Sequence, residues 1–166
     1  MTEQAVVPPA LTATLARTWA YFKDQLEASA WDRLQAALAD PTLAADFDRL
    51  LATSEFFRDQ FIRHRDWALT ELEAGRLFRC SDLEGESWED ALSQLVLDNT
   101  SEAAVMSSLC IFRNRQMLRI VAGELSGRIT LSETFQALTQ LADITIQLSV
   151  RWSTATLSQR FGNPAG

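Results

Sequence analysis

The side chains most able to do chemistry in this chain are crowded into one apolar stretch. It runs from Leu109 to Ile120, LCIFRNRQMLRI, and holds Arg113, Arg115 and Arg119. Arginine stays charged throughout the working pH range and is costly to bury alone. Each of the three must reach water, an acid of the protein or an external anion. Read as a helix, the stretch stacks Arg115 and Arg119 one turn apart on one face, with Arg113 about 160° from Arg115. Two readings stand side by side. The stems can lie along apolar surface with their heads in water, or the heads can pair with acids on neighbouring helices. Glu124, Asp143, Glu102 and Glu133 are the candidate acids. If residues 125–129 join two antiparallel helices, positions equidistant from about 127 face one another. Arg113 and Arg115 then fall opposite about 139–141, within a turn of Asp143. A buried pair there would fix helix register more than it would add stability. Arg113, Arg115, Arg119, Glu124 and Asp143 are therefore candidates for structural ion pairs or for docking against a further core.

Other reactive chemistry is thin. The one histidine, His64 in RHRDW, stands at a helix end, where a structural or solvated role is the plain account. There is no Glu-x-x-His for a di-metal carboxylate bundle, and no Cys-x-x-Cys or histidine pair for zinc. Phosphate-cradling glycine loops and the Gly-x-Ser-x-Gly nucleophile turn are also missing. Asp46 and Asp48 form an Asp-x-Asp, but on a helix they lie about 200° apart. Paired metal-binding carboxylates share a face on a strand, so these two are expected on a solvated helix surface. No catalytic, cofactor-binding or metal residue is assigned to this chain, and on these residues alone it is not an enzyme.

Composition narrows the class further. The chain has 166 residues, 47% hydrophobic and 22% charged, with 6 glycines and 4 prolines. That is a folded composition with room for one core. The net charge of −7 divides unevenly, −9 over residues 1–100 and +2 over 101–166. An acidic chain without a basic stripe is a poor nucleic-acid binder, because phosphate contacts supply most of that affinity. No window approaches the roughly 20 apolar residues of a membrane span, and MTEQAVVPPALTATLA has no basic start or long apolar run of a signal peptide. Cys80 and Cys110 have no metal or disulfide spacing, so both are expected as reduced thiols, Cys110 inside the core. The expected setting is the cytoplasm, with neither membrane nor nucleic acid as a partner.

The elements that must position these groups all read as helix. After VVPP, the stripe Leu11, Leu15, Trp19, Phe22, Leu26, Leu34 and Leu38 predicts one long helix. Asp40-Pro41 reads as an N-cap and first-turn proline ahead of Leu43, Phe47, Leu50 and Leu51. Ser54 caps a helix with Phe57 and Phe61 inward, and Asp66 caps the next, carrying Trp67 and Leu72 and ending at Gly75. GRLFRCSDLEGES is the one substantial loop, packed down through Leu77, Phe78 and Leu83. Ser87 with Asp90 predicts a capping box for a helix carrying Trp88, Leu92, Leu95 and Val96 and closed by Asn99. Ser101 opens a central helix to about Gly123. Thr130 with Glu133 predicts a capping box for a last helix stopped by Gly162 and Pro164. The expected fold is an all-α helical bundle, with two long antiparallel C-terminal helices after several shorter ones.

The order of these pieces resembles a known family. LCIFRNRQMLRI, then AGEL, LTQLAD and RFGNP are similar to the N-terminal helical segment of the bifunctional glutamine synthetase adenylyltransferase and adenylyl-removing enzymes. The match runs through Leu109, Phe112, Arg113, Arg115, Met117, Arg119 and Ile120, then Leu138, Leu141, Ala142 and Asp143. Upstream, Ser54, Phe56, His64 and Trp67 fit a further family region, and the resemblance spans about residues 48 to 164. Departures are Cys110 and Ile111 at usually basic positions, Asn114 for a frequent arginine, Arg65 for proline and Glu124-Leu125 for Asp-Leu. The resemblance implies a parent enzyme that moves AMP from ATP, with magnesium, to a tyrosine of glutamine synthetase and removes it by phosphorolysis. It also implies control by glutamine and a PII-type signal protein in bacterial nitrogen metabolism. The family's glycine-rich turn and paired aspartates follow the Gly-x-Pro turn, and so fall outside these 166 residues. The expectation is residues 1–166 as a single helical, non-catalytic N-terminal domain of a longer enzyme. A free-standing helical protein–protein interaction module is the alternative.

Overall fold

The computed structural model describes residues 9–79, 93 and 101–162. These form seven α-helices: α1 (Pro9–Gln25), α2 (Ala28–Ala37), α3 (Pro41–Thr53), α4 (Glu55–Arg63), α5 (Arg65–Glu73), α6 (Glu102–Leu125) and α7 (Leu131–Phe161). No strand occurs among the described residues, and the two long C-terminal helices pack together. The all-α bundle expected from periodicity is the fold observed.

Local signals set most boundaries. Asp40 caps α3 by accepting from the Thr42 amide at 2.8 Å, with Pro41 in the first turn. Ser54 accepts from the Phe57 amide at 3.1 Å and opens α4. Ser101 does the same for Ala104 at 3.2 Å and opens α6. At α7, Thr130 and Glu133 exchange both bonds of a capping box, so two amides that a helix start leaves orphaned are satisfied at once. Gly75 follows α5 at φ +68°, a left-handed turn that a side chain would strain. Gly162 takes φ +82° at the end of α7. The boxed helix expected from Ser87 and Asp90 to Asn99, together with Cys80, Leu83 and Pro164, lies outside the described residues.

Two expectations need correction. The stripe from Leu11 to Leu38 belongs to two helices, because the chain turns at Glu27, which is extended at φ −61° and ψ 155°. Twelve residues of straight helix would carry Trp31 about 18 Å past Trp19, yet their rings meet edge-on at 5.9 Å. Folding α2 back gains that contact, and the heptad-like spacing continued through the break only because both helices face the same core. The fifth helix begins at Arg65 rather than after a cap at Asp66. Asp66 sits in its first turn, where its charge favours the dipole but its side chain caps nothing.

Among the described residues there are two apolar clusters, and α6 contributes to both. The larger gathers Phe22, Leu34, Phe47, Phe57, Phe61, Leu69, Leu77 and Phe78 with Leu118 and Ala122 of α6. The smaller joins Val105, Leu109, Phe112 and Ile120 of α6 to Ala137, Leu141, Ile144 and Leu148 of α7. Leu77 and Phe78 pack down as expected. Gly123 allows this close approach. A Cβ there would stand 3.1 Å from the Phe78 carbonyl oxygen and 3.1 Å from the Ile129 side chain.

Phe47 is the hub of the larger cluster, with ring centroids 5.2 Å from Phe61, 5.5 Å from Phe57 and 5.7 Å from Trp19. Phe47→Ala is expected to cost about 3–5 kcal/mol by chemical denaturation, from lost transfer energy and the remaining void. A cost under about 1 kcal/mol would show that the ring cluster does not carry this half of the fold.

Candidate functional site

Where α5 meets α6, one carboxylate serves several arginines. Glu71 comes from the last turn of α5 and has a side chain only 8% exposed. Arg119 of α6, 5% exposed, donates through Nη2 to Glu71 Oε2 and weakly through Nη1 to Gln116 Oε1 at 3.4 Å. Arg76, just past the helix, donates through Nη2 to Glu71 Oε1 at 2.8 Å and through Nε to Oε2 at 3.3 Å. The backbone closes the same corner, because the Glu71 carbonyl accepts from the amides of Arg76 at 2.8 Å and Leu77 at 3.1 Å. Burial by itself would raise the Glu71 pKa. Arg76 and Arg119 outweigh that and hold the carboxyl below its ordinary range.

Trp67, one turn before Glu71, supplies the rest of the environment. The Arg115 and Arg119 guanidinium carbons lie 5.4 and 5.8 Å from its ring centroid. The negative face of the indole is a partner for cations that lack a second carboxylate. Such partners are needed, since Arg115 Nε and Arg119 Nε are buried with no hydrogen bond among the described residues. Burial lowers the Arg115 pKa, and the nearby Glu71 carboxylate only partly offsets it. His64, between α4 and α5, also has a buried and unbonded Nε2. Burial pushes its pKa down, and the charges of Arg115 and Arg63 push the same way. The corner is therefore rich in cations and short of carboxylate, and His64 is kept neutral within it.

The candidate residues separate in space. Arg115 and Arg119 turn together towards α5, whereas Arg113 is exposed without an ion pair among the described residues. Glu124 and Asp143 are likewise exposed without ion pairs among the described residues. Glu102 lies in the first turn of α6, and Glu133 closes the α7 capping box. Cys110, expected inside, is exposed on the same side of α6 as Met106 and Arg113. Asp46 and Asp48, expected on a solvated surface, are both engaged. Asp46 pairs with Arg128 at 2.8 Å, and Asp48 accepts from Trp19 Nε1 at 2.7 Å.

Glu71 was not among the candidate acids, though a signal for it exists. An acid in a last helical turn opposes the dipole and calls for a cation. Both acids of the last turn of α5 have one: Glu71 has Arg76 and Arg119, and Glu73 has Arg33 at 2.8 Å.

No group of three or more His, Cys, Asp or Glu able to hold a metal occurs among the described residues, and Asp46 and Asp48 are spoken for on opposite sides of α3. No helix among the described residues is long and apolar enough to cross a membrane. The fold and the site together define an all-helical protein built around a buried arginine–carboxylate corner. The family model for glutamate-ammonia ligase adenylyltransferase matches residues 44–166, and the chain belongs to that family. Two of the regions that carry the resemblance, around His64 and Trp67 and around Arg115 and Arg119, converge at this corner. No solved structure matches the chain.

Removing one partner should expose the strength of the corner. Glu71→Gln is expected to lose about 3–5 kcal/mol because it strands the buried Arg119, and Arg119→Met less, because Arg76 still pairs with Glu71. The double variant should lose clearly less than the sum, and additivity in denaturant melts would rule out the coupling. The carboxyl also sets an acid limit. Its folded pKa lies below the ordinary 4.5, so on acidification the unfolded chain takes up the proton first. Its contribution is intact above about pH 4.5 and is lost as the pH falls through the folded value.

His64 can be watched directly, since it is the only histidine in the chain. Its ring resonance should titrate with a midpoint below 6.5, and Arg115→Met should move that midpoint upward. A midpoint at or above 6.5 in the unaltered protein would contradict the buried, cation-flanked setting.

Proposed function

We propose that this chain is a helical, non-catalytic N-terminal portion of an enzyme that adds AMP to glutamine synthetase and removes it. What supports the reading is the family match over residues 44–166, joined to the direction the arginines take. Arg115 and Arg119 are spent on Glu71 and Trp67 inside the fold, so they act as a brace that fixes α6 against α5. ATP and magnesium belong to the nucleotidyltransferase core of the parent enzyme, beyond the residues seen here. Glutamine synthetase and a PII-type signal protein are the parent's partners, and its setting is the bacterial cytoplasm.

The brace gives the parent a rigid helical face rather than a reacting group. In the parent enzyme, Arg115→Met is expected to slow phosphorolytic release of AMP from adenylylated glutamine synthetase by about tenfold to a hundredfold, the cost of misplacing a site from a distance. The 166-residue chain alone should release no AMP. Release by the isolated chain would overturn the non-catalytic assignment. An unchanged rate and melting temperature in the parent variant would overturn the brace.

A further inference from the structure

Helix α7 is apolar on two opposite sides. One side, with Ala137, Leu141, Ile144 and Leu148, is buried against α6. The other carries Leu131, Phe135, Ile146, Val150, Leu157 and Phe161, each 55–72% exposed. At 100° per residue these six fall within an arc of about 120°, centred about 180° from the buried side. Scattered single apolar residues need no explanation, but a stripe of six along one helix marks an interaction surface.

The order of the stripe says what fits it. Its residues are arranged symmetrically about Ile146, which stands at the midpoint between Leu131 and Phe161 and also between Phe135 and Leu157. Val150 has the exposed Ala142 as its counterpart across the same midpoint. A two-fold contact between identical subunits requires this property, because residue i must meet j while j meets i. Laid antiparallel on a copy of itself with the axis at Ile146, the helix places Leu131 on Phe161, Phe135 on Leu157 and Ile146 on its own equivalent. Asp143 and Arg160 are the charged residues within the arc. The same pairing sets them opposite Ser149 and Ser132, so neither meets a like charge. Twelve such side chains from two copies would remove on the order of 1,200 Å² of surface from water, at the lower end of what a specific dimer uses.

We propose that α7 is a homodimer contact, in which two copies of this chain pair antiparallel through this stripe about an axis at Ile146. The surface is distinct from the Glu71 corner, so failure of this contact leaves the proposed function standing.

Sedimentation of the chain over a concentration series tests the assembly. The expected result is a monomer–dimer equilibrium that Ile146→Glu weakens at least about tenfold. Ile146 is 61% exposed, so the far-ultraviolet spectrum and the melting profile at monomeric concentrations should be unchanged. Geometry is read by crosslinking in a Cys80→Ser, Cys110→Ser background. Ile146→Cys should link to itself, and Leu131→Cys should link to Phe161→Cys but not to itself. A monomer at every concentration overturns the proposal and leaves the stripe to the remainder of a longer polypeptide. A dimer that survives Ile146→Glu, or a Leu131→Cys self-link, overturns it in favour of another face or a parallel pairing.

Discussion

The charge balance around Glu71 is the constraint on which the arrangement of the helices depends. Its carboxylate is nearly buried and answers Arg119, which is more deeply buried still. Each would be prohibitive alone, because an isolated ion loses most of its hydration and gains nothing in return. Together they are tolerable only if α5 and α6 hold one relative position, since the bond lies between helices 48 residues apart in the chain. The apolar cluster around Phe47 and Leu118 would accept small slides of α6 with little change in buried area. The ion pair is less forgiving, because a charge-assisted bond weakens as donor and acceptor move apart. Stability comes from the apolar cluster, and register comes from the pair.

The same division of labour explains why arginines sit in an apolar stretch. Helix α6 has to satisfy neighbours on several sides. Leu109, Phe112 and Ile120 face α7, while Leu118 and Ala122 face the larger cluster. Arg115 and Arg119 fill the sector towards α5, where their stems pack and their heads meet Trp67 and Glu71. Gly123 then lets the end of the helix pass close under Phe78. A lysine would not serve in place of Arg119, because a point charge cannot bond Glu71 and stack on an indole plane together.

Much of the fold was legible in the sequence because its signals are local. Caps at Asp40, Ser54, Ser101 and Thr130 each rest on one side chain and an amide two or three residues away, and all four appear. The break at Glu27 was not legible, since no glycine or proline marks it and the apolar spacing runs on across it. A tertiary contact, Trp19 against Trp31, decides it. The site was half legible for the same reason. That Arg115 and Arg119 share a face follows from helical spacing, but the acid they meet depends on which helix lies alongside, and spacing within one segment carries no such information. The loop at 125–129 pointed Arg113 and Arg115 towards α7, whereas Arg115 turns towards α5 and Arg113 is exposed. Cys110 miscarried because residue type was used where only neighbours decide exposure.

The cation excess of the corner bears on whether it could receive an external anion instead of bracing the fold. Arg76, Arg115 and Arg119 surround one carboxylate, and Nε atoms of two of them lack a hydrogen-bond partner. An incoming phosphate or carboxylate would have to replace Glu71 at Arg119, whose side chain is 5% exposed. It would give up its own hydration, break a charge-assisted bond and leave Glu71 without Arg119, each a cost of several kcal/mol. The gain available is one further contact to Arg115, already stacked on Trp67. The balance favours the closed corner, with Trp67 acting as a soft counterpart that spreads the surplus positive charge. His64, held neutral by burial and by Arg115, adds none to it. An arginine motif in this setting is better suited to hold two helices in one register than to capture a ligand.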